Sequence, residues 1–296
     1  MAVRVSVLTN DSVGRISDEL KNLIGMAHDC GAVVVLSDEE ASKHNVEESG
    51  SVVFSDDLTA DLCVVLGGDE TISKALRATA GSGTPVFAVN FGHEGLLSTK
   101  YRNDYYSFRH AARVALSRQF EIMDIPAIEY RTTNGDVGSA FRDISIRRGL
   151  AVNSSELLTL SCAVSDVEVG RVPCAGLVVA TAAGSTGYNL DNGGPVMALG
   201  VEGYVVSFVA PRSLASRNLI VAPQDCLTVC SHDASQDPAV VYADGVPVAE
   251  LGCVETIDIT FRRSVSKLAQ LSYDNYYERL CDTFGRLAQW YEYERG

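Results

Sequence analysis

The chain has 296 residues, a length for one large domain or two ordinary ones with a sizeable core. Hydrophobic residues make up 46% and charged residues 21%, which excludes a disordered chain. A formal charge of −14, from 24 basic and 38 acidic residues, excludes broad nucleic-acid binding. An anionic substrate must then be met by local donors, helix N-termini or a metal.

Residues 3 to 9, VRVSVLT, read as a buried strand, and this apolar run is too short for a signal peptide. Ile16 to Cys30 has helical spacing, Ala32 to Leu36 reads as a second strand and Leu62 to Leu66 as a third. A helix through roughly Arg77, a strand at Pro85 to Val89 and a helix at Tyr105 to Arg118 complete the first part. Strands alternating with helices predict a doubly wound parallel sheet over 1–118. From Phe120 the character changes. Segments such as IPAIEYRTT, LLTLSCAVSDVEV, GLVVAT, YVVSFVA and ETIDITF predict a β-rich, sandwich-like domain over 119–273. The last residues, 274–296, return to helical spacing and are expected to pack back on the first domain.

Eight cysteines are scattered with no CxxC pair, most of them in apolar runs, and read as buried thiols of a reducing cytosol. No stretch approaches the roughly 20 apolar residues of a membrane span, so the expected location is cytoplasmic.

Five stretches carry candidate chemistry. In the first, Gly67-Gly68-Asp69-Glu70 follows a strand and opens a helix. The glycines admit close backbone approach, and Asp69 at the sheet rim can take a proton from a hydroxyl, or simply cap the helix. In the second, Asn90 ends a strand ahead of Gly92, His93, Gly95 and Leu96, offering an amide to ribose hydroxyls; His93 has no HExxH around it. The third runs from Ala180 to Asn189, with Gly184, Ser185, Thr186, Gly187 and Tyr188, and leads to Gly193-Gly194-Pro195. Its amides and its Ser185 and Thr186 hydroxyls suit a phosphate or a ribose, although small residues also serve close packing. As a nucleophile elbow it lacks the first glycine. In the fourth, Arg212 and Arg217 are the basic residues of Ala210 to Asn218 and can neutralise a phosphate. The fifth, Tyr242 to Pro247, reads as a hairpin with an Asp244-Gly245 turn. There is no GxxxxGK[ST] and no GxGxxG.

Taken in order, these stretches resemble the NAD kinase family, which carries GGDG, NxGxxGFL, TPxGSTAY with GGP, PxSLxxR and a late DG turn. Here they stand as GGDE, NFGHEGLL, TAAGSTGYNLDNGGP, PRSLASRNLI and ADGV, from about Asp61 to Arg279. The resemblance implies an α/β domain followed by a β-rich one, with the active site between them. It implies transfer of the γ-phosphate of ATP to the adenosine 2′-hydroxyl of NAD, with magnesium or another divalent cation on the ATP phosphates. Asp69 matches the catalytic carboxylate. Gly68, Asn90, Gly92, Leu96, Arg142, Asp143, Ala175, Thr186, Gly187, Tyr188 and Asp244 fall at positions facing NAD. Gly67, Gly68, Glu70 and Arg212 fall at positions facing phosphate, and no residue is assigned to the metal. A homodimer or homotetramer is implied as well.

The sequence departs from the pattern at Glu70 (the fourth glycine), Leu96 (a phenylalanine), Arg142-Asp143 (an Asn-Glu pair), Ala175 (an aspartate) and Ala182-Ala183 (Pro-Thr). Those departures keep two other readings open: a relative acting on NADH or another nucleoside, and a non-catalytic nucleotide-binding homologue.

Overall fold

The computed structural model describes residues 2–10, 13–91, 95–98, 105–149, 157–233, 238–272 and 275–285. The chain divides into two compact units, Met1–Met123 with Lys267–Gly296, and Asp124–Ser266.

The first unit is built of β1 (Arg4–Thr9), α1 (Gly14–Asp29), β2 (Val33–Leu36), α2 (Asp38–His44), β3 (Val52–Phe54), β4 (Leu62–Leu66), α3 (Asp69–Ala78), β5 (Pro85–Val89) and α4 (Tyr105–Leu116). Its strands lie in the order β5-β4-β1-β2-β3, and every pairing among them is parallel. All five residues of β4 and of β5 are buried, which is why each reads as an unbroken apolar run rather than an alternation. The core gathers Val5 and Val7 of β1, Leu20 and Leu23 of α1, Val64 and Leu66 of β4, and Phe108 of α4.

Two elements here escape the sequence periodicity. In α2, DEEASKH has too few apolar residues to show a stripe; Ser37 starts it by accepting from the Glu40 amide at 3.1 Å. β3 has only three residues.

The second unit holds β6 (Glu121–Thr132), β7 (Val137–Ala140), β8 (Asp143–Arg148), β9 (Leu158–Val164), β10 (Val167–Cys174), β11 (Gly176–Ala180), α5 (Tyr188–Asp191), β12 (Tyr204–Val209), β13 (Leu219–Val221), β14 (Leu227–Ser231), β15 (Ala239–Ala243), β16 (Val246–Leu251) and most of β17 (Thr256–Gln270). One sheet runs β13-β12-β11-β8-β15-β16; in the other, β10-β9-β14-β17 are neighbours and β6 pairs with β17 and β7. Alternate residues of both sheets make one core: Ile144 and Ile146, Leu177 and Val179, Leu158 and Leu160, Ile257 and Ile259. The other face of β11 and β12 is covered by Ala182 and Met197, so β11 is buried throughout.

The end of β17 belongs to the first unit, where Lys267, Leu268 and Ala269 pair in parallel with Pro85, Val86 and Phe87. α6 (Tyr276–Phe284) follows and also belongs to that unit. No described helix is long and apolar enough to cross a membrane.

Candidate active site

In the first unit the chain leaves β1 outward through β2 and β3, then returns to the other side of β1 as β4. That reversal opens a crevice at the C-terminal ends of β1 and β4, the usual ligand position in a parallel sheet. Gly67 and Gly68 lie there. The Gly67 amide donates to Val89 O at 3.1 Å, and the Asn10 amide to Leu66 O at 3.1 Å, so the ends of β1, β4 and β5 are tied together. A Cβ at Gly67 would stand 2.6 Å from Thr71 Oγ1 and 3.3 Å from the Asn10 side chain, so no larger residue fits. Gly68 is the N-cap of α3 and has no side chain with which to cap it.

Asp69 is the first residue of α3, and its carboxylate is used elsewhere. Oδ2 accepts the Leu96 amide and Oδ1 the Leu97 amide, each at 3.2 Å. Leu96 is therefore a buried apolar side chain that reaches the site through its backbone. Asn90 lies in the same loop, where its amide would meet a Cβ on Gly95 at 2.7 Å. Gly92 and His93 lie outside the described residues. Glu70 is exposed and pairs with Lys74 at 3.1 Å, one turn along α3.

The second unit brings Arg142, Asp143, Gly184, Gly187 and Asp244 together. Asp244 and Gly245 both have positive φ, 47° and 83°, as a type I′ hairpin turn requires. From that turn Asp244 accepts the amides of Phe141, Arg142 and Asp143 at 3.1, 2.7 and 3.2 Å, fixing the start of β8. A Cβ at Gly184 would collide with the Arg142 carbonyl. The Arg142 guanidinium would stand 3.1 Å from a Cβ on Gly187, and its Nε is buried without a hydrogen-bond partner. Asp143 is 8% exposed, and burial pushes its carboxyl up to about 6; the Asp244 charge adds to the rise and the Arg142 charge opposes it.

The Ser185 hydroxyl corrects the expectation that it faces a ligand. It is fully buried, donates to Ala182 O at 2.8 Å and accepts the Met197 amide at 2.9 Å. Asn189 closes the same loop by donating to Ser185 O at 2.8 Å and Pro195 O at 3.0 Å. A loop this short in apolar side chains is held by its own polar groups. Thr186, Gly187 and Tyr188 are left partly exposed.

Ala175 and Arg212 stand apart from this cluster. Ala180 pairs with Asp143, whereas Gly176 pairs with Arg147 and Val209, so Ala175 is a strand length, about 17 Å, away. Exposed Arg212 donates its amide to Pro173 O at 2.9 Å at that same far end. Nearby, Arg171, Arg217 and Ser213 line a cavity of about 490 Å³ with Phe208 and Leu219.

Two residues that the sequence reading did not single out bear on Asp69, one through the Leu96 carbonyl and one through its charge. Arg279 of α6 is 3% exposed and donates Nε–H to Leu96 O at 3.0 Å. Burial raises the Tyr276 phenol pKa, and the charges of Tyr277 and Asp69 raise it further, against Arg279. The available signal was an arginine beside Leu280 on the buried side of an amphipathic helix. Among the described residues no three His, Cys, Asp or Glu side chains converge as a metal cage.

Comparison with known proteins accounts for both units. The family model of the ATP-NAD kinase N-terminal domain matches residues 14–115, and that of the ATP-NAD kinase C-terminal domain matches 148–271. An NAD kinase of Thermoanaerobacter sp. (strain X514) is 27% identical over 288 residues, covering 94% of this chain and 98% of its own. One from Methylococcus capsulatus is 30% identical over 203 residues, 68% of each chain. Among solved structures, yeast NADH kinase complexed with NADH superposes with a TM-score of 0.85 at 20% identity, covering 98% of this chain and 89% of that one. An NAD kinase from Archaeoglobus fulgidus in complex with ATP gives 0.71 at 21% identity, covering 95% and 98%. The chain therefore belongs to the ATP-NAD kinase family.

Proposed function

We propose that this protein transfers the γ-phosphate of ATP to the 2′-hydroxyl of the adenosine ribose of NAD, forming NADP. The observation that carries the reading is Asp69, placed where the strand order reverses and held by two consecutive amides rather than by capping. A ribose hydroxyl holds its proton tightly near neutrality, and a fixed carboxylate accepts it as the phosphoryl group arrives. Most of the acceleration in such a transfer comes from alignment and charge stabilisation.

The remaining roles extend the family resemblance to the residues described above. The Gly67–Gly68 backbone, crowded on its inner side by Thr71 and Asn10, takes the donor phosphates, with Glu70 beside it. Asn90, Leu96 and the Thr186–Tyr188 segment serve the acceptor, and the family resemblance adds Gly92, which lies outside the described residues. Arg142 offers an unpartnered donor, and Asp143 a carboxylate to which no described donor hydrogen-bonds. Asp244 serves indirectly, by holding both.

A divalent cation, which the family resemblance implies, would be carried mainly by the substrate phosphates. Magnesium, when bound, offsets the phosphate charge. A homodimer or homotetramer remains part of the reading on family resemblance, and Ala175, a strand length from Arg142, is then placed for a second copy's acceptor site rather than its own. Cytoplasm, where ATP, NAD and reduced thiols coexist, is the matching location.

The test is product identity. Purified protein with ATP, magnesium and NAD yields NADP phosphorylated at the adenosine 2′ position, identified by mass spectrometry; absence of that product overturns the reading.

A further inference from the structure

α6 comes from the far end of the chain, yet it touches the loop that holds the proposed base. Tyr276 and Arg279 are three residues apart and share one face of the helix. Arg279 is 3% exposed, and burying a guanidinium is costly. Here Nε–H grips the Leu96 carbonyl at 3.0 Å.

The geometry of the peptide gives that grip a consequence. The Leu96 carbonyl and the Leu97 amide belong to the same planar unit and point to opposite sides of it. Fixing the carbonyl therefore fixes the direction of the Leu97 N–H, which meets Asp69 Oδ1. The Leu96 amide, one atom group earlier in the chain, meets Oδ2.

We infer that Arg279 is a positioning residue for Asp69, holding the Leu96–Leu97 peptide from its carbonyl side so that its N–H stays on the carboxylate. The inference rests on Asp69 acting as the base. Through this contact the helix does more than cover apolar surface: it sets how firmly the peptide that donates to the carboxylate is held. Tyr276, whose phenol feels the Asp69 charge, stands on the same helix face.

The experiment compares the full chain with its Arg279→Gln and Arg279→Lys variants. The Asp69 carboxyl is titrated by carbon-detected NMR, and kcat/KM for NADP formation is followed across pH. Arg279→Gln is expected to raise the Asp69 midpoint by about one pH unit, because a carboxylate that loses amide donors protonates more easily. The acid limb of kcat/KM moves up by the same amount, with Arg279→Lys between the two. A purely structural role would lower the melting temperature and scale the profile without moving it; unmoved midpoints in both variants overturn the inference. If Arg279→Gln does not fold, the Arg279→Lys titration decides it by the same criterion. Wild-type protein that makes no NADP would defeat the kinase reading, while the NMR titration would still decide this one.

Discussion

Asp69, the first residue of α3 in the first unit, and Asp143, the first residue of β8 in the second, are both carboxylates at the start of an element, and their surroundings differ. Two amides at 3.2 Å hold Asp69, and an arginine holds the peptide that supplies one of them. No described hydrogen bond reaches the Asp143 carboxylate, which burial leaves near neutrality in its protonation. Around them the contrast repeats. The first unit fixes its turn with contacts from distant parts of the chain, whereas the 181–195 loop of the second satisfies itself through Ser185 and Asn189. One carboxylate is oriented by backbone amides from another part of the chain; the other is buried and open to a ligand's hydroxyls. Such unpaired groups reduce stability and mark functional sites.

The sharpest way to break this comparison is at Gly184. Its replacement by Ala drives a Cβ into the Arg142 backbone carbonyl, which no rotamer change relieves. Gly184→Ala should cost about 3 kcal/mol in denaturant unfolding of the second unit, or prevent its folding. A neutral result would mean that the loop does not pack on β8 as described.

Next in size are opposite responses to acid. The Asp143 carboxyl lies above its ordinary 3.8, at about 6, so the folded state binds its proton more readily than the unfolded chain. Its charged form penalises folding in full above about pH 6, and that penalty shrinks as pH falls from about 6 to the ordinary 3.8, below which it is gone. Asp143→Asn should therefore stabilise the protein at neutral pH by on the order of 2 kcal/mol, and not in acid.

His44 behaves in the reverse sense. Burial holds it below its ordinary 6.5, with the Glu40 charge opposing and the Lys43 and Lys21 charges adding to the fall. Thr9 donates to Glu40 at 2.6 Å, so its oxygen accepts from His44 Nε2 at 2.8 Å, leaving Nδ1 to accept from Ser17 at 2.7 Å. That chain of bonds needs the neutral ring. Stability from His44 is complete above about pH 6.5 and is lost as pH falls below it; His44→Gln should remove that slope from thermal unfolding. Equal slopes in the variant and the parent would contradict the bonding pattern.

The smallest effect belongs to Glu70. Its pair with Lys74 is exposed on both sides, 74% and 56%, so Glu70→Gln should change stability by no more than about 0.5 kcal/mol. Any change in activity then reports on the donor phosphates and not on folding.

The sequence showed the frame of the site better than its bonding. β4 and β5 could be bounded to the residue because strands buried on both faces are continuous apolar runs between turn residues. The Asp244-Gly245 hairpin was legible for the same kind of reason: positive φ at two positions leaves few choices. Ser185 was misjudged, since a hydroxyl that closes its own loop and one that meets a ligand look alike in sequence. Arg279 was missed because its partner, the Leu96 carbonyl, is 183 residues away and carries no side-chain signature. α2 was missed because caps and charges, rather than an apolar stripe, define it.

The central claim is that Asp69 is the base of a phosphoryl transfer to NAD. It is tested most directly by kcat for NADP formation in Asp69→Asn, an isostere that keeps the shape of the turn. The account predicts a loss of about 100-fold or more in kcat, with KM for ATP and NAD close to those of the parent and a lower melting temperature, because Nδ2 cannot accept one of the two amides. An Asp69→Asn enzyme within about threefold of the parent would contradict it.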